Sequence, residues 1–217
     1  MRSAVLFALV ALTLPISASA FLDAGLGEPV AFEREPPRAT VRPASIALGI
    51  PGNGRLRHGV RFPPRGAGFF TWDPVRREVP NRPGRRWGTD RLVRLLLRVI
   101  AEYRAVHPEA PRVGIGDLGR RRGGPFGPVH ATHQNGLDAD VYYPRRDRRE
   151  RPPTTAAQID RRLAQDLVDR FVAAEAELVY VGPNTGFTGP PGVVQVLWNH
   201  DNHLHVRIRP DSRYRDR

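Results

Sequence analysis

The chain has no cysteine and no lysine, and only one methionine. Without cysteine there is no disulfide, no iron–sulfur cluster and no thiolate zinc site, so a bound metal has to be held by histidine and carboxylate. Without lysine, all 34 basic residues are arginine; set against 22 acidic residues they give a net charge of +12. A basic surface can meet nucleic acid, anionic envelope polymers or lipid headgroups. Long apolar runs are scarce as well. The run from Ala4 to Pro15 is shorter than the roughly 20 residues of a membrane span. It lies in "MRSAVLFALVALTLPISASA", with Arg2 before it and Ala18 and Ala20 at the −3 and −1 positions of a cleavage site. Residues 1–20 therefore read as a secretory signal, and the mature protein is expected in the periplasm with no membrane span. Export argues against nucleic acid as a partner.

Proline and glycine are plentiful, 22 and 21 of 217 residues, which implies long irregular connections between short regular elements. Residues 21–44 lack any clear period and read as a flexible lead-in. "TDRLVRLLLRVIAEYRAVH" is the first helix, capped by Thr89 or Asp90, with Leu92, Leu96, Val99, Ile100 and Tyr103 at helical spacing. A second helix fits "TTAAQIDRRLAQDLVDRFVAAEAE", with its cap near Thr154 or Thr155. "RVGIGD", "LVYVG", "VVQVLW" and "HLHVRIR" read as short strands, so the class is α+β in a single domain. The domain spans 45–210, and a basic tail, 211–217, follows it.

Five of the seven histidines fall in two short stretches, "PVHATHQNGLDAD" and "HDNHLH". Side chains alternate along a strand, so His203, His205 and Arg207 share one face while Leu204, Val206 and Ile208 share the other. The apolar face belongs to the core, which presents the histidines together. In "LDADV", Asp138 and Asp140 likewise oppose Leu137, Ala139 and Val141. Gly136 lets the chain turn back and bring His133 beside Asp140. With one more histidine from the late strand, this set offers two imidazoles and a carboxylate, donor types that catalytic zinc accepts.

"IGDLGRRRGGPFGPVHATHQNGLDADVYY" together with "WNHDNHLHVRIR" closely resembles the penicillin-insensitive murein endopeptidases, zinc peptidases grouped with D-Ala-D-Ala metallopeptidases and the hedgehog domain. The resemblance extends over roughly Ser45 to Pro210. It implies that His133, Asp140 and His205 hold zinc on a small antiparallel sheet flanked by helices. It also implies that His203 is a catalytic histidine beside the metal and that His200 is a further active-site histidine; we expect His203 to be the base and His200 to assist it or stabilise the oxyanion. Some relatives hold an extra metal at the position of His130, but the insertion supplying its other ligands is not evident here, so one Zn2+ site is expected. Asp138 is either a carboxylate accepting from a ligand histidine or an ordinary strand residue. Arg207 is either a binder of substrate carboxylate or a surface arginine.

The implied activity is cleavage of cross-linked murein stem peptides between D-alanine and diaminopimelate. Two alternatives stay open from the residues alone: a D-Ala-D-Ala carboxypeptidase of the same fold, and a zinc-bearing cell-wall module without catalysis.

Overall fold

Capping chemistry starts the longest helix. Thr89 is extended, and its side chain accepts from the N–H of Leu92, satisfying one of the donors that a helix start leaves free; α1 then runs Asp90–Val106. Its apolar stripe of Leu92, Leu96, Val99, Ile100 and Tyr103 is buried, as the spacing predicts. This structure, a computed structural model, describes residues 43–127 and 130–211, all within one compact unit, Arg42–Arg217. The expected signal, nearly all of the lead-in and the tail beyond Asp211 lie outside the described residues. Among the described residues no helix is long and apolar enough to cross a membrane.

The second helix, α2, runs Arg161–Ala173, which corrects the expected cap at Thr154 or Thr155. Residues Ala156–Gln158 form a 3-10 turn, and Asp160 caps α2 by accepting from the N–H of Leu163. Tertiary contact overrides local propensity at this point. Ile159 is buried and bridged to Arg145, and the N–H of Asp160 donates to Pro144 O at 2.8 Å, which draws the chain out of a helical path.

The strands are β1 (Ile46–Ile50), β2 (Asn53–Arg57), β3 (Val60–Arg61), β4 (Arg65–Gly66), β5 (Phe69–Thr71), β6 (Trp87–Gly88), β7 (Val113–Ile115), β8 (Asp138–Tyr142), β9 (Leu178–Val181), β10 (Val194–Val196) and β11 (His203–Arg207). β1 with β2 and β3 with β6 make small pairs, while the other seven form one sheet in the order β10-β9-β11-β8-β7-β5-β4. The α+β class stands. The sheet is larger and more mixed than the small antiparallel one expected, because β5–β7 and β9–β10 are parallel. Parallel neighbours need a crossover of a dozen or more residues. α1 lies in the β5–β7 connection, and the loop 182–193 makes the other.

Both helices pack on one sheet face. Leu204, Val206, Ala139, Val141, Val179 and Val181 join the helix stripes in the core. Each fully buried large apolar side chain contributes roughly 1.5–3 kcal/mol, so the faces of β8 and β11 are firmly assigned. The opposite face of the antiparallel trio β8, β11 and β9 carries the polar residues.

Candidate metal centre

Strand register builds the centre. β11 pairs antiparallel with β8, setting His205 opposite Asp140 and Arg207 opposite Asp138, and β9 sets Tyr180 on the other side of His205. His133 arrives from the loop before β8. Two features of that loop force the approach. Gly136 sits at φ 77°, where a Cβ would come within 2.9 Å of Leu56, and its carbonyl accepts from the Thr89 N–H at 2.8 Å. Gly119 passes so close that a Cβ there would lie 2.8 Å from His133 O. His133 itself sits at φ 68°, a left-handed strain of about 1–3 kcal/mol of the kind that clusters at functional sites.

Each ring has one nitrogen tied down and one turned inward. His133 Nδ1 donates to Leu118 O at 2.9 Å, leaving Nε2 3.3 Å from Asp140 Oδ1. His205 Nε2 donates to Asp138 Oδ1 at 3.0 Å, leaving Nδ1 3.3 Å from that same Asp140 oxygen. His203 Nδ1 donates to Asn202 Oδ1 at 2.6 Å, and its Nε2 lies 3.6 Å from Asp140 Oδ1. His200 Nδ1 donates to Trp198 O at 2.9 Å, with its ring centroid 4.6 Å from that of His203. Asp138 is fully buried and also accepts from Arg207 Nε at 2.7 Å and from the His133 backbone N–H at 3.1 Å. Of the two readings of Asp138, the structure has it accepting from a histidine. Arg207 is no free surface arginine, because its Nε donates to Asp138, the carboxylate facing it across the strands.

Electrostatics favour a cation here. Burial works against the charge of Asp140, yet His133, His203 and His205 outweigh it and hold the carboxyl well below its usual range. Asp138 behaves likewise, with His205 as its chief counterweight. Burial alone would push both inner histidines down. The charge of Asp140 instead raises His133, and the hydrogen bond to Asp138 with the adjacent Asp140 raises His205 to about 9. Burial lowers His203 to about 4, because the charge of Asp140 offsets it only in part; burial lowers His200 too.

The donor set fits a metal ion. His133 Nε2 and Asp140 Oδ1 are buried and have no hydrogen-bond partner, a condition costing about 1–3 kcal/mol per atom unless something else binds them. Imidazole nitrogens around a carboxylate oxygen, with carboxylate and carbonyl groups fixing the rings from behind, is the pattern of zinc ligands and their outer partners. His130 also comes close: ligand atoms of His130, His133 and Asp140 lie within 4.8 Å of one another. Two histidines, His205 and His130, thus compete for the third place. His130 Nε2 instead bonds to Asp117 Oδ2 at 2.8 Å.

Sequence reasoning missed the support beneath this group. Asp117 is fully buried and takes Arg85 on both oxygens, Asn81 Nδ2 at 2.9 Å, and His130. Burial opposes its charge, but His130 and Arg85 outweigh burial and lower its pKa. Its carbonyl accepts from the Asp140 N–H at 2.9 Å, next to the Leu118 carbonyl that holds His133. An acidic residue closing the buried "RVGIGD" strand is the one signal that could have marked it. The histidines, Asp140 and Tyr180 line a cleft of about 370 Å³ whose lip is formed by Leu197 and Trp198.

A family model described as penicillin-insensitive murein endopeptidase matches residues 47–179, more than half of the chain. The matched stretch includes His133 and Asp140 and ends before His200, His203 and His205. No curated protein matches the chain.

Proposed function

This chain belongs to the penicillin-insensitive murein endopeptidase family, and from that premise we propose that it is an exported zinc peptidase cutting the D-alanine–diaminopimelate cross-link between stem peptides. The observation that carries the zinc reading is the convergence of His133 Nε2 and His205 Nδ1 on Asp140 Oδ1, each at 3.3 Å. His133, Asp140 and His205 would hold the ion. His205 is preferred to His130 because it shares the Asp140 oxygen with His133. Zinc bound there supplies Lewis acidity, polarising the scissile carbonyl and acidifying water.

The chain's own residues supply the proton path. His203 is neutral at pH 7, since burial holds it near 4, and its Nδ1–H is committed to Asn202, so Nε2 is the accepting atom. A water attacks the carbonyl carbon as His203 Nε2 takes its proton. The C–N bond then breaks, and the same nitrogen returns that proton to the leaving amine. His200, fixed by Trp198 O and lying tilted beside His203, orients that ring or steadies the developing oxyanion. The signal read in residues 1–20 accounts for how the enzyme meets murein.

The test is incubation of the zinc-loaded protein with purified murein sacculi, with and without a chelator, followed by mass spectrometry of the products. Chelator-sensitive loss of cross-linked dimers is expected. Loss of terminal alanine alone would make it a carboxypeptidase, and no cleavage by folded, zinc-bound protein would make it a binding module.

A further inference from the structure

The cleft holds about 370 Å³, near the small end of ligand sites, which run roughly 300–1,000 Å³. That volume suits the few residues flanking a scissile bond. If murein is the substrate, its glycan strands must lie outside, across the lip. Trp198 stands on that lip, two residues before His200. It is 72% exposed, the most exposed large apolar side chain among the described residues, and Val196 beside it is 64% exposed. Scattered apolar residues on a surface are ordinary, but exposed apolar side chains gathered at a cleft mark a contact surface.

Its backbone is pinned on both sides. The N–H of Leu197 donates to Val181 O at 2.9 Å, and Trp198 O accepts from His200 Nδ1 at 2.9 Å. Further along, Asp201 takes the backbone N–H of Asn184 at 3.0 Å and its side-chain amide at 2.6 Å, tying the two ends of the loop together. The indole is thus presented on a fixed frame, and little ordering entropy remains to oppose binding.

We infer that Trp198 is the platform on which a sugar ring of the glycan strand stacks while its stem peptide occupies the cleft. This inference rests on the murein reading. A pyranose offers an apolar C–H face that matches the flat indole, and its hydroxyls stay in water at the ring edge. The site is continuous with the catalytic groups, so one substrate molecule spans both.

The test compares two cross-linked dimers, one carrying its disaccharides and one stripped of sugar, using wild type, Trp198→Ala and Trp198→Phe. For Trp198→Ala, the loss in kcat/KM on the sugar-bearing dimer should exceed the loss on the stripped dimer by about tenfold or more, carried mainly by KM, as for an aromatic anchor in an interface. Trp198→Phe should recover most of the difference. Zinc content and Tm, measured on each variant, exclude a folding defect. Equal losses on the two dimers, or no loss on either, would overturn the platform while leaving the endopeptidase intact. Cleavage of neither dimer by the wild type would overturn the murein reading and this inference with it.

Discussion

Asp138→Asn changes no volume at the centre but unbalances every hydrogen bond around it. In the structure one oxygen of Asp138 accepts from His205 Nε2 at 3.0 Å and Arg207 Nε at 2.7 Å, and the other accepts from the His133 backbone N–H at 3.1 Å. An asparagine oxygen can serve only one of these sides. Turned toward His205, its NH2 meets the buried N–H of His133, donor against donor, at a cost of about 1–3 kcal/mol. Turned the other way, its NH2 faces His205 Nε2, the ring must carry its proton on Nδ1, and the lone pair aimed at Asp140 is lost. Both orientations also remove the charge that raises His205. Zinc affinity should therefore fall about 10- to 100-fold, the usual cost of losing a partner behind a ligand histidine. Tm of the metal-free protein should fall by about 2–4 °C for each kcal/mol lost. Competition against a fluorescent zinc chelator, with a thermal melt alongside, reads both effects. An unchanged zinc affinity in a folded variant would refute the argument, since it would mean that Asp138 does not set the state of His205.

His205→Ala should abolish stoichiometric zinc binding and activity together, whereas His203→Ala should keep the zinc and lose about 10²–10⁴-fold in kcat, the range for a general base; metal analysis with turnover on murein dimers separates the two. In the metal-free protein His205 titrates near 9 rather than 6.5. A raised pKa stabilises the protonated form, so this contribution, of order 3 kcal/mol, is complete below about pH 6.5 and lost as pH rises through about 9. Chemical denaturation of the metal-free protein across that window should show the decline. Zinc needs the deprotonated ring, so zinc affinity should run the opposite way, rising with pH up to about 9 with proton release visible by calorimetry in buffers of different ionisation enthalpy. Thr89→Ala removes the cap on Leu92 N–H, present at 3.2 Å, and should cost about 1 kcal/mol in urea unfolding without altering zinc content.

The helices show what local pattern reveals about this fold and what it does not. α1 begins at its cap and buries each apolar residue that the spacing names, because threonine at the start and a stripe of leucines agree with where the helix packs. α2 starts later than threonine chemistry suggests, because Ile159 is more stabilising in the core beside Arg145 than as the first turn of a helix. Ile46–Ile50 and Asn53–Arg57 pair residue by residue as a hairpin around Pro51 and Gly52. The parallel partners of β7 and β9 are invisible in sequence. A strand's own alternation records which face is buried, not which neighbour lies beside it.

The same distinction runs through the candidate site. Period-two alternation places His203, His205 and Arg207 opposite Leu204 and Val206, and Asp138 and Asp140 opposite Ala139 and Val141, and the buried faces agree. A slip of one residue between β8 and β11 would drive a polar set into the core, so apolar patterning forbids every odd shift. It leaves the even ones open. A shift of two would set either His203 opposite Asp140 with His205 opposite Asp138, or Arg207 opposite Asp140 with His205 opposite Tyr142, with quite different donors around the carboxylate. The observed register pairs His205 with Asp140 and Arg207 with Asp138, and that choice gives Asp138 its hydrogen bond from Arg207 Nε. Asp117, Arg85 and Asn81 were harder still to find, because their hydrogen bonds join separate loops that carry no period at all. Short motifs therefore announce the candidate metal-binding residue types here, while the partners that hold those residues in place come only from the packing of segments distant in sequence.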